Sequence, residues 1–174
     1  MGAEARLKEL GLTLPPAPKP VANYVPAVRA GALLFLSGVI PTRDGKLLAE
    51  GKLGRDLTIE QGYEAAKIAT LNALANMKQE LGSLDRVKRV LRVVGHVASH
   101  EGFVQHPAVI NGASDLLVTV FGDAGRHSRV ALGAAELPMN APVEIEIIVE
   151  VESSRSFFHG LLARVLALTV RIPA

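Results

Sequence analysis

The stretch "SRVALGAAELPMNAPVEIEIIVEV", residues 128–151, decides how the rest of the chain is read. In its second half, Val143, Ile145, Ile147, Val149 and Val151 fall on one side of an extended backbone. Glu144, Glu146, Ile148 and Glu150 fall on the other. In its first half, Val130, Leu132 and Ala134 make an apolar face, and Arg129, Ala131, Gly133 and Ala135 make the opposite one. The residues between read as a tight turn centred near Met139-Asn140. The expectation is therefore two strands, 128–136 and 142–151, paired as a hairpin. In that register Arg129 lies opposite roughly Glu150, and Glu144 opposite residue 135 or 136. Helices cover the apolar face, so Arg129 and Glu144 look out on the uncovered one. One reading is an exposed cross-strand charge pair, which contributes only about 0.2–1 kcal/mol. The other is an anion site. The arginine fork suits a carboxylate, and Ala131 and Gly133 leave room beside it.

Working outward, "RVKRVLRVVGHVAS" predicts a strand over 86–98, with Val87, Arg89, Leu91 and Val93 on one face and Lys88, Val90, Arg92 and Val94 on the other. Pro107 starts a helix that Gly122 ends. Thr58 opens a longer helix, with Gln61 completing a capping box and Gly82 as its stop. "YVPAVRAGALLFLSGVIP" gives two short strands around Ala30-Gly31, the second of them central, and Asp44-Gly45 tips a turn. Residues 4–10 make one or two helical turns, followed by a proline-rich arm. The order is β-β-β-α-β-α-β-β. The fold class is α+β, a mixed sheet with two helices on one face. Two helices leave the other face to solvent or to another chain. The expected units are an arm over 1–20, a domain over 21–152 and an apolar extension over 153–174.

The 174 residues fit one domain, and 49% hydrophobic against 21% charged residues allows a sizeable core. The absence of cysteine excludes thiolate metal ligands and a thiol nucleophile, and fits a reducing, cytoplasmic setting. Net charge is +2, from 19 basic and 17 acidic residues without a basic run, so nucleic acid is a poor fit as partner. No stretch is apolar enough to span a bilayer, and the amphipathic start is unlike a signal peptide.

Four motifs in order carry a resemblance. They are "NYVPAVRAGALLFLSGVIP", "TIEQGYEAAKIATLNALANMKQELGSLDRVKRVLRV", "INGASDLLVTVFGDAGRHSRVALG", and Arg129 followed by Leu137-Pro138 and Val143–Glu146. Together, over residues 20–152, they resemble the RidA/YjgF reactive-intermediate deaminase (endoribonuclease L-PSP-like) family. The resemblance implies a chorismate-mutase-like (YjgF-like) fold and a homotrimer with intersubunit clefts that covers the open sheet face. It also implies cofactor-free hydrolysis of 2-imino acids to 2-keto acids and ammonia. Position by position, Arg129 matches the arginine holding the substrate carboxylate, and Glu144 the glutamate that positions water. Tyr24 matches the arm tyrosine, and Ser37-Gly38 the strand end framing the site. Two positions depart from the pattern. Ala131 stands where cysteine is frequent, marking a subgroup without the pocket thiol. Ser114, with Asn111 one turn earlier, stands near the place of a helix asparagine.

In the hairpin register, Arg129 and Glu144 are six or seven positions apart, roughly 20 Å at 3.3 Å per residue. They are thus expected to meet only across a subunit boundary. His127, two before Arg129, is a further pocket candidate. His96, His100 and His106 read as loop and packing residues, since a zinc-type His-x-x-x-His pair needs a helix. Three functional classes fit: an imine or enamine hydrolase, a non-catalytic carboxylate-binding trimer, and an endoribonuclease. The last lacks a basic groove with aromatic platforms, only 4% of residues being aromatic.

Overall fold

The computed structural model describes residues 1–17 and 23–153; the tail expected to form an apolar extension falls outside them from residue 154 on. Strand alternation builds one five-stranded sheet from β1 (Ala27–Ala30), β2 (Leu33–Leu36), β5 (Val87–Ala98), β6 (Ser128–Ala134) and β7 (Val143–Val151), in the order β1-β2-β7-β5-β6. A small ribbon, β3 (Thr42–Arg43) with β4 (Lys46–Leu47), turns at Asp44-Gly45. Among the described strands of this sheet, only β5 and β6 pair in parallel. The class is the α+β mixed sheet expected from the sequence.

One side of the sheet is covered by α2 (Ile59–Leu81) and α3 (His106–Phe121). The Thr58–Gln61 capping box and the left-handed Gly82 cap bound α2 where expected. Ala65, Ala66, Ala69 and Ala73 are at most 2% exposed, so α2 lies close on its neighbours. A side chain at Gly112 of α3 would strike the Tyr63 carbonyl of α2, and that close approach requires glycine. A third helix, α1 (Ala3–Glu9), adds Ala3 and Leu7 to the same core. Its Glu4 accepts from the Leu84 amide at 3.1 Å and from Lys78 Nζ at 2.6 Å. Among the described residues, no helix is long and apolar enough to cross a membrane.

Three expectations need correction. Residues 128–151 do not form a hairpin, because β5 lies between the two strands and pairs with both. The β5–α3–β6 segment is a crossover unit, which returns the chain parallel to its first strand. The residues read as a turn instead carry the chain past the end of β5. There Met139 and Asn140 adopt φ of 58° and 61°, and the Gly51 amide donates to the Asn140 carbonyl.

Second, Arg129 is not opposite Glu150, nor Glu144 opposite residue 135 or 136. Arg129 pairs with Val93 and Glu144 with His96. Val93 is buried under the helices, so Arg129, Ala131 and Gly133 share the helix side, and Val130, Leu132 and Ala134 face the open side. Glu144 does look out on the open side, between buried Val143 and Ile145.

Third, β5 does not alternate regularly. Register shifts fall between Val87 and Arg89 and between Val90 and Arg92, so Val87, Val90 and Val93 all point into the core. On the open side Val28, Phe35 and Leu132 remain 56%, 40% and 48% exposed, and Ile148, Val94 and Val130 continue the apolar surface between them.

Candidate functional site

The sequence candidates sort into two clusters. The first is built on β6 and α3. Arg129 leaves the edge strand toward α3, where its Nη1 donates to Asn111 Oδ1 at 2.9 Å and to Ser114 Oγ at 3.0 Å. Asn111 and Ser114 are three apart on the helix and so share a face. Ser114 Oγ also lies 3.0 Å from His127 Nε2, and His127 Nδ1 lies 2.6 Å from the Gly125 carbonyl. A carbonyl only accepts, so Nδ1 carries a proton, and in the Nδ1–H tautomer Nε2 accepts from the serine. Ala131 follows Arg129 on the same face and reaches the core edge. Among the described residues no carboxylate pairs with Arg129, and Glu150 is 3.8 Å from Lys88 instead. The cross-strand pair that spacing suggested is absent. A half-buried guanidinium held by neutral groups is suited to a ligand anion.

The second cluster lies where β2 ends. Ser37 Oγ donates to the Val25 carbonyl at 2.7 Å and ties the arm carrying Tyr24 to the strand end. Gly38 lies against Glu144, and any side chain there would collide with the carboxylate. Glu144 is half-buried. Burial pushes its carboxyl above the ordinary carboxylate range; the charge of His96 opposes this, and Glu146 adds to it. Glu146 itself takes a hydrogen bond with His96 Nε2 at 3.0 Å. Tyr24, Ser37, Gly38 and Glu144 border a cavity of about 620 Å³.

The two clusters of one chain do not meet. Arg129 and Glu144 leave opposite faces of the sheet, on strands separated by β5 and three positions along it. Two strand spacings and three residue rises place their Cα atoms roughly 14 Å apart. The remaining histidines go separate ways. His106 Nε2 bonds Ser99 Oγ at 3.1 Å, and His100 lies beside Phe103.

Two residues escaped the sequence reading. Asn72 and Asn76, one turn apart on α2, border the same cavity and are 1% and 6% exposed. Asn72 Nδ2 donates to the Ile40 and Thr42 carbonyls at 3.1 and 2.9 Å and fixes the loop after β2. The signal was present in "NALAN", residues 72–76, as two amides breaking an otherwise apolar row.

Residues 4–151 match the family model described as "YjgF/chorismate_mutase-like, putative endoribonuclease". Protein TCP17 of Trypanosoma cruzi is 43% identical over 150 residues, 86% of this chain and 94% of that protein. The crystal structure of Atu1372 from Agrobacterium tumefaciens, a protein of unknown function, is similar at 48% identity and a TM-score of 0.80. It covers 86% of this chain and 92% of that one. A structure from Shewanella oneidensis MR-1 described as a "putative endoribonuclease" is 40% identical with a TM-score of 0.84, covering 87% and 100%. With most of its length matched and its fold shared, the chain belongs to the YjgF/chorismate-mutase-like (RidA/YjgF) family.

Proposed function

We propose that the chain is a cofactor-free hydrolase of reactive 2-imino or enamine acids, active as a homotrimer. In this reading Arg129 of one subunit holds the substrate carboxylate, and Glu144 of the next handles the water. The observation that carries the reading is Arg129 itself. It is half-buried and held by Asn111 and Ser114, with no carboxylate partner among the described residues. The separation of the two clusters supports a site shared between chains, since one chain cannot offer both groups to one small acid. The apolar open face supports the trimer, being a surface that a second copy would cover.

The chemistry balances without a cofactor. Glu144 takes a proton from water as its oxygen attacks C2 of the C=N group. The C=N electron pair moves to nitrogen, which takes that proton back from Glu144 to give the neutral amino-alcohol. The hydroxyl proton then passes by way of Glu144 to the nitrogen as the C–N bond breaks, releasing ammonia and forming the carbonyl of the 2-keto acid. A positioned carboxylate base contributes about 10²–10⁴-fold. Arg129→Ala is expected to abolish 2-iminopropanoate hydrolysis by the purified protein, followed as ammonia release. Unchanged turnover overturns the assignment. Carboxylate binding without any ammonia release would instead favour a binding trimer, the reading that Ala131 in place of cysteine keeps open.

A further inference from the structure

Glu144 has a neighbour that the proposed mechanism leaves unused. In the ladder between β5 and β7, His96 stands directly opposite Glu144. Opposed residues of an antiparallel pair place their Cβ atoms about 4.5–5.5 Å apart on one face, so both side chains leave the open side of the sheet together. His96 is near enough for its charge to act on the Glu144 carboxyl, against the upward push of burial. Its ring is held in place. Nε2 lies 3.0 Å from Oε1 of Glu146, the next β7 residue on that face. An ionised carboxylate only accepts, so Nε2 carries the proton of that bond. The other nitrogen, Nδ1, has no hydrogen-bond partner among the described residues and is not sealed from solvent. The His96 side chain is 31% exposed, enough for a small molecule on the open face to reach it. On its far side β6 presents Leu132, so Glu144 and Glu146 are the ionisable groups facing the ring among the described residues. A histidine oriented by a carboxylate through one nitrogen and open at the other is arranged for general acid–base work.

We infer that His96 is a second acid–base residue of the site, which protonates the departing nitrogen through Nδ1 while Glu146 holds its ring. The inference rests on the functional reading above, which puts the reacting carbon beside Glu144, and it refines the second proton transfer. Glu144 takes the hydroxyl proton of the amino-alcohol as the O–H electron pair forms the C=O bond. The C–N pair passes to nitrogen, which takes a proton from Nδ1 of the imidazolium and leaves as ammonia. The proton on Glu144 then crosses to Nδ1 of the residue opposite it and restores both groups. Two fixed groups spare Glu144 the move from oxygen to nitrogen that a single carboxylate must make within one turnover.

The test follows ammonia release from 2-iminopropanoate by the full chain, beside pyruvate affinity by calorimetry. His96→Ala is expected to lower kcat at least about tenfold, toward the roughly 10²–10⁴-fold that a positioned acid contributes. Pyruvate affinity should stay within about threefold of wild type, since the anchoring arginine is untouched. Added imidazole is expected to restore part of the lost rate, saturably, in His96→Ala and to leave wild type unchanged. Glu146→Ala keeps the ring and loses its anchor, and kcat should fall about three- to tenfold, the scale of one hydrogen bond. Unchanged kcat in His96→Ala overturns the assignment and leaves the histidine as a cross-strand partner of Glu146. So does a loss of rate that imidazole does not restore, or one accompanied by loss of pyruvate binding, since either makes His96 part of the framework alone. If Glu144→Gln is inactive while His96→Ala is fully active, the functional reading stands and the role of His96 falls. If wild type releases no ammonia above the uncatalysed rate, both fall.

Discussion

Ser114 Oγ lies 3.0 Å from His127 Nε2, and this bond decides how the hydroxyl serves Arg129. With its proton committed to the histidine, the serine presents a lone pair to Arg129 Nη1, also at 3.0 Å. The arginine is thus held by acceptors alone and keeps its positive charge for a ligand. His127→Phe removes the acceptor and frees the serine rotor. One such bond is worth about 0.5–1.5 kcal/mol, so pyruvate affinity is expected to fall roughly three- to tenfold, measured by calorimetry. Arg129→Ala should remove binding altogether in the same assay.

Glu144 predicts a pH dependence with a definite sign. Burial raises its folded-state pKa above the unfolded value. The group's contribution to stability is therefore fully present below the unfolded pKa and is lost as pH rises through the folded one. Glu144→Gln should accordingly raise the Tm at neutral pH. The gain should vanish below about pH 4, where the carboxyl is largely protonated in the folded and unfolded states alike. A general base must be ionised, so kcat/KM should rise with pH through a pKa above the ordinary carboxylate range. His96→Gln removes the opposing charge and should move that rise to higher pH.

Gly38→Ala tests the position of the same carboxylate. The new methyl group would meet the Glu144 side chain, a flexible end rather than backbone. The fold should accommodate it, with a Tm change worth less than about 1 kcal/mol. The carboxylate should not hold its place, and kcat is expected to fall at least tenfold, on the scale of a displaced general base. A variant with unchanged kcat would show that Glu144 is not positioned by this contact.

Local chemistry was legible in the sequence, and non-local pairing was not. The α2 ends were readable because Thr58, Gln61 and Gly82 satisfy backbone groups within one turn of themselves. The alternation of β7 was readable because burial acts on each residue separately. The insertion of β5 between β6 and β7 was not, because no residue in 128–151 records which strand supplies its ladder partners. The consequence reached the site. Reversing the face of β6 moved Arg129 from the open side to α3, where Asn111, Ser114 and His127 join it. All four were named from the sequence, three of them as separate candidates with no stated contact to Arg129. The β5 bulges hid for a related reason, since a slipped register leaves the composition of a strand unchanged.

A site shared between subunits, as proposed, makes the sharpest prediction. Arg129→Ala and Glu144→Gln are each expected to be inactive as pure proteins, yet each keeps the residue that the other lacks. Unfolded together, mixed in equal amounts and refolded, they should form trimers in which some clefts receive Arg129 from one chain and Glu144 from the next. With random assembly around a closed ring, about one quarter of the clefts regain both groups, and about that share of wild-type turnover should return. A site contained within one chain recovers nothing on mixing. The control is Leu132→Asp, which places a charge on the exposed apolar face of the sheet without touching the core. It should yield monomers by light scattering, with no activity in the mixture or alone, because half of every cleft then belongs to a partner that cannot dock.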